Sequence, residues 1–144
     1  MIWIIEDHQK LRKTLREALT LSESSPQVED FPSCEDVITY MKLNGLYPVH
    51  SATVQGTVEP PEVIILDIGL PGMTGLEGIK LLKNAVPDAE ILMFTVCDDR
   101  ERIFEAICAG ASGFLLKEES VSRIVAAVEE VKNEQTAFGV QPTN

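Results

Sequence analysis

Three stretches of this chain, Ile2–Ile5, Val63–Leu66 and Ile91–Phe94, carry an apolar residue at every position. A strand with one face in water alternates apolar and polar side chains, so unbroken runs read as strands covered on both faces, as in a parallel sheet. Parallel strands need crossovers, and helical spacing fills the intervals. Leu11, Leu15, Ala18 and Leu19 repeat at that spacing after the first run. "QVEDF" reads as a second, less apolar strand nearer an edge. Ser33 with Asp36 three residues on resembles a capping box, and that helix runs to about Asn44 and stops at Gly45. Thr74 and Glu77 form a second capping box ahead of Leu76, Ile79, Leu82 and Lys83, and Pro87 closes the third helix. Asp98 or Asp99 caps a fourth helix with Ile103, Phe104 and Ile107, ending at Gly110. "GFLLK" is a short fifth strand, and Ser120 opens a last helix with a core face of Val121, Ile124, Val125, Val128 and Val131. Five strands alternating with five helices give an α/β fold with a parallel sheet between two helical layers.

A chain of 144 residues holds one core without disulfides or metals. Cys34, Cys97 and Cys108 are odd in number and lack CxxC spacing, which suits a reducing cytoplasm and argues against a zinc site. No apolar run approaches the ~20 residues of a membrane span. Charges at Glu6 and Asp7 interrupt any signal-peptide core. A net charge of −11 argues against direct nucleic-acid binding by this segment. The expectation is a cytoplasmic domain with no membrane partner. Residues 46–61, "LYPVHSATVQGTVEPP", make an unusually long connection, read either as a partner-binding loop or as a tolerated surface insertion.

The run Val63–Leu66 ends in Asp67 and then breaks into "IGLPGMTG". A carboxylate at the end of a buried strand is costly unless something pairs or reacts with it. Glu6 and Asp7 end the first strand in the same way. Ligands of open α/β sheets bind beyond the carboxyl ends of the strands, where strand order reverses. If the order is 2-1-3-4-5, the three carboxylates converge, and their mutual repulsion calls for a hard divalent cation such as Mg2+. Thr95 ends the fourth strand with a hydroxyl, and Lys117 ends the fifth with a point cation suited to a phosphate oxygen. Singly, each has a second reading: Asp7 as a helix cap, Thr95 as an ordinary strand residue and Lys117 as a solvated lysine. At successive strand tips they form a constellation for phosphoryl transfer through an aspartyl phosphate.

"IIED", "VIILDIGLPGMTGLEGIKLLK", "ILMFT" and "GASGFLLK" resemble the receiver (CheY-like) domain of bacterial two-component response regulators over about residues 1–133. The wording of "LPGMTGLEGIKLLK" and the acid pair are most similar to the NarL/FixJ type, whose receivers usually precede a helix-turn-helix DNA-binding domain. The resemblance implies a flavodoxin-like, doubly wound five-stranded parallel sheet of order 2-1-3-4-5. It implies Asp67 as phosphoacceptor, with Mg2+ held by Asp7, by Asp67, by Glu6 mainly through water, and by the backbone carbonyl of Gly69. Thr95 and Lys117 would each meet a phosphoryl oxygen, and Phe114 would take the place of the aromatic switch residue, often Tyr, without its hydroxyl. The implied partner is a sensor histidine kinase or phosphotransfer domain. The mixed charges Arg100, Arg102, Glu105 and Arg123 on the face of the fourth helix, fifth strand and fifth helix suit a phosphorylation-favoured homodimer. Residues 134–144 read as a tail or the start of a linker to an effector domain controlling transcription. Such a domain promotes only its own phosphorylation and dephosphorylation and is not otherwise an enzyme.

Other readings are a non-phosphorylated scaffold receiver and a stand-alone phosphorelay receiver. A haloacid-dehalogenase-type phosphatase would need a second Asp where Gly69 stands, and a flavin binder would need a phosphate loop after the first strand. "KLRKTLR" gathers Lys10, Arg12, Lys13 and Arg16, either as a docking edge for a phosphodonor or as a solvated helix face. His8 and His50 read as surface residues.

Overall fold

The strands of the computed structural model follow the apolar runs, and it describes residues 1–47, 59–70, 73, 75–96 and 100–136. In chain order the elements are β1 (Ile2–Ile5), α1 (Gln9–Thr20), β2 (Val28–Phe31), α2 (Cys34–Leu43) and β3 (Val63–Asp67). They continue with α3 (Gly75–Ala85), β4 (Glu90–Thr95), α4 (Arg100–Ala109), β5 (Gly113–Leu116) and α5 (Val121–Thr136). All pairings are parallel and the sheet order is β2-β1-β3-β4-β5, so strand order reverses between β1 and β3.

The two-residue period of the strands sorts their side chains into two cores. Trp3, Ile5, Ile64, Leu66, Ile91 and Met93 pack against α2, α3 and Ala106 of α4. Ile2, Ile4, Val63, Ile65, Leu92, Phe94 and Leu115 pack against Leu15 and Leu19 of α1 and Ile124 and Val128 of α5. Burial on both faces explains the unbroken apolar runs. In the first core Trp3, Phe31 and Tyr40 meet edge to face, with ring centroids 5.1–5.8 Å apart.

Local signals act as the residue chemistry demands. Ser33 caps α2 by accepting from Asp36 N, and Gly45 takes a φ of 74° just after its C-cap, Asn44. Ser120 Oγ accepts from Arg123 N at the start of α5. Helix α5 continues to Thr136, beyond its apolar repeat, through residues of ordinary helix propensity. The expected caps at Thr74, Asp98 and Asp99 lie outside the described residues, as do residues 48–58 of the long connection. At its described ends Leu46 and Tyr47 pack on the first core and Pro61 is buried. Helix α4 departs from its apolar pattern: Ala106 is buried, whereas Phe104 is 69% and Ile107 48% exposed. Its apolar side chains outnumber the positions that face the sheet.

The start of α3 leaves no room for a side chain against the backbone. A Cβ on Gly75, the first residue of α3, would lie 2.8 Å from Ile68 Cα, just beyond the tip of β3. Gly75→Ala therefore should cost about 1–3 kcal/mol of stability by overpacking, despite alanine's better helix propensity. Urea unfolding of the two proteins checks this, and equal midpoints would contradict the close approach.

Candidate functional site

Strand register sets the site. Ile5 pairs with Leu66, Asp67 with Phe94, and Phe94 with Leu115, so Glu6 and Asp67 end on neighbouring strands and Lys117 follows two strands away. Glu6, Asp67 and Lys117 also share side-chain parity with the α1/α5 core. Lys117 Nζ accordingly lies 3.2 Å from Glu6 Oε1 and 3.1 Å from Asp67 Oδ2, and 5.5 Å from the centroid of the Phe94 ring.

Both paired carboxylates are deeply placed: Glu6 is fully buried and Asp67 is 3% exposed. Asp67 Oδ1 accepts from Gly69 N at 2.9 Å, and Glu6 Oε2 accepts from His8 N at 3.0 Å. The other oxygen, Glu6 Oε1, is met by the Lys117 ammonium. Asp7 is exposed, and one carboxylate oxygen from each of Glu6, Asp7 and Asp67 lies within 4.8 Å of the others.

Burial is the largest influence on Glu6 and, with the nearby Asp67 charge, pushes it up to about 7 against the opposing His8 N–H and Lys117. For Lys117 burial acts downward, but the hydrogen bond and charge of Asp67, with Glu6 behind it, leave the ammonium raised above its ordinary value. Three carboxylates against one ammonium leave a formal deficit of two positive charges when all are ionised. A buried carboxylate oxygen met only by the Lys117 ammonium, and an all-oxygen donor set, fit a hard divalent cation such as Mg2+.

The remaining expected residues surround this cluster. Thr95 is fully buried, its hydroxyl donating to Val96 O at 3.1 Å and its carbonyl accepting from Lys117 N at 2.7 Å. Thus Thr95 holds the lysine's backbone while its hydroxyl is engaged with the next carbonyl along the chain. Phe114 lies on β5 and is 46% exposed.

Two residues with a part here were unremarkable in the sequence. His8, read as a surface residue, is the N-cap of α1, its Nδ1 accepting from Leu11 N, so Asp7 is not the cap. Arg12, read as part of a basic face, donates through Nη1 to Glu6 O at 2.7 Å. Their spacing of four places Arg12 one turn above the cap on the same helix face, which was the available signal.

Residues 2–129 match the response regulator receiver domain family, and the chain belongs to that family of signalling domains. The transcriptional regulatory protein MctR of Rhizobium johnstonii is 37% identical over 78 residues, covering 54% of this chain and 36% of MctR. DegU of Brevibacillus brevis is 30% identical over 130 residues, covering 90% of this chain and 49% of DegU. The signal receiver domain of NarL from Mycobacterium tuberculosis superposes with a TM-score of 0.72 at 25% identity, covering 92% of this chain and 94% of that one. The chain thus spans about half or less of the length of these curated relatives.

Glu6 sets a pH dependence. Between its ordinary value of 4.5 and about 7, the folded chain keeps a proton that the unfolded chain has released. Stability of the metal-free protein should therefore fall as pH rises through that window, by roughly 2–3 kcal/mol from this group. Urea midpoints across the window should show this slope flattened in Glu6→Gln, and parallel slopes in the two proteins would refute it.

Proposed function

We propose that this chain is a phosphoacceptor receiver in which Asp67 takes a phosphoryl group from a phosphohistidine of a sensor histidine kinase or phosphotransfer domain. The observation that carries the reading is the convergence of three carboxylates, one oxygen of each within 4.8 Å of the others, beside the ammonium of Lys117. A carboxylate oxygen of Asp67 attacks phosphorus, the P–N bond breaks, and the electron pair leaves on the imidazole nitrogen of the donor. An acyl phosphate remains on Asp67. Glu6, Asp7, Asp67 and the Gly69 carbonyl would hold Mg2+, which when bound supplies charge neutralisation at the phosphoryl oxygens.

Lys117, already 3.1 Å from Asp67 Oδ2, would follow the new negative charge to a phosphoryl oxygen, releasing its hold on the carboxylate. Thr95 would exchange its bond to Val96 O for a second phosphoryl oxygen, vacating space toward which the Phe114 ring can turn. Movement on β4 and β5 repacks the face of α4, β5 and α5, biasing a two-state equilibrium. That face already exposes Phe104, Ile107 and Phe114 among Arg100, Arg102, Glu105 and Arg123, a mixture suited to a self-complementary homodimer. The relatives are transcriptional regulators of greater length, which supports residues 1–133 as the receiver and 134–144 as the start of a linker to a transcriptional effector domain.

Treatment with acetyl phosphate and Mg2+ should add one phosphoryl group by intact mass, and Asp67→Asn should abolish it. Unchanged yield in Asp67→Asn would overturn the assignment. Lys117→Ala should be less responsive than the wild type: once phosphorylated, its β4 and β5 amides should show a reduced change in hydrogen exchange. A response of full size in that variant would contradict the role given to the lysine.

A further inference from the structure

We infer that Arg12 is a positioning residue for the acid pair, holding the peptide that joins Glu6 to Asp7 in the orientation a bound cation requires. The inference rests on the cation site proposed above, and concerns a residue outside the ligand set.

The β1–β2 ladder ends at the Ile5–Phe31 pair, and Glu6 N makes one further bond to Phe31 O at 3.0 Å. The Glu6 carbonyl then lies beyond the last pair of the ladder. A carbonyl at such a position must find another donor or turn toward water. Arg12 is that donor, with Nη1 at 2.7 Å. Its Nε donates to Asp30 Oδ2 at 2.9 Å, so one guanidinium ties α1, the tip of β1 and β2 together. Both side chains are largely covered, at 14% and 18% exposure.

The consequence falls on Asp7. Its carboxylate makes no hydrogen bond or ion pair among the described residues, so the backbone alone aims it. That backbone is fixed at both ends. On one side His8 N donates to Glu6 Oε2, and Arg12 N donates to His8 O at 3.0 Å. On the other, the Arg12 side chain fixes the direction of the Glu6 carbonyl, and with it the plane of the Glu6–Asp7 peptide. Arg12 also needs its fork, because its two bonds leave different nitrogens for acceptors on different strands. A lysine ammonium on a flexible stem has no such fixed geometry. Since Asp30 balances the guanidinium charge, the contribution is one of direction.

Arg16 supplies an internal control. It also pairs with Asp30, through Oδ1, but is 45% exposed and has no bond to the Glu6 carbonyl. Removing it subtracts a cation from the same helix face and leaves the bond to Glu6 in place.

The test is an amide-shift NMR titration of the metal-free full chain with MgCl2, alongside urea unfolding without metal. Wild type should show saturable shifts at Asp7, His8 and Gly69. Arg12→Ala should weaken Mg2+ binding by about tenfold or more, the usual effect of removing an outer-shell partner. Arg12→Lys should restore less than half of that loss on a logarithmic scale, and Arg16→Ala should stay within about twofold of wild type. If Arg12→Ala does not fold, Arg12→Lys decides, and an affinity within about twofold of wild type in the folded variant overturns the inference. Equal losses in Arg12→Ala and Arg16→Ala would also overturn it, since charge alone would then explain the effect. No saturable shift in wild type would instead overturn the cation site on which the inference rests.

Discussion

The structure depends on an electrostatic imbalance at the carboxyl edge of its sheet. Placing β1 beside β3 puts the ends of two fully buried strands side by side, and both end in acids. Lys117, delivered from β5, reaches Glu6 and Asp67 together. One ammonium does not neutralise three carboxylates, and burial raises the cost of those that remain. Glu6 responds by holding its proton to about neutral pH. The fold thus carries a site that is most comfortable with additional positive charge.

The surrounding chain builds stiffness around this imbalance. Hydrogen bonds to Asp67 and Glu6 come from amides only two residues ahead of each, so the turns that follow β1 and β3 grip the side chains that precede them. Gly75 lets α3 close on the backbone of Ile68 immediately after Asp67. Thr95 fixes Lys117 through the main chain, leaving the lysine side chain spanning the carboxylates across the Phe94 ring. Each tip is therefore anchored by an element that also belongs to one of the two cores.

Much of this was legible in the sequence because it follows from one-dimensional patterns. Burial on both faces wrote itself as unbroken apolar runs, and the tips stood out because Glu6, Asp67 and Lys117 interrupt those runs with charge. Strand order came from the family resemblance, since alternation alone leaves it open. What stayed hidden depends on contacts between elements. Only its spacing of four from His8 sets Arg12 apart from Lys10 and Lys13 locally; the placement of β2 beside β1 gives it Asp30 and the Glu6 carbonyl. His8 was equally opaque, because a histidine cap uses one ring nitrogen as acceptor and lacks the usual Ser, Thr, Asp or Asn signature. The apolar residues of α4 fit a core helix by composition, yet Phe104 and Ile107 face outward, a distinction set by how α4 rotates against the sheet.

A carboxyl edge short of positive charge should take up a hard divalent cation. Thermal unfolding near neutral pH, with and without saturating MgCl2, tests it most directly, because a ligand that binds only the folded state raises its stability by mass action. The wild-type chain should show a higher midpoint with Mg2+, and a smaller increment once Asp67→Asn or Glu6→Gln has removed part of the charge. Identical midpoints in the presence and absence of Mg2+ would contradict it.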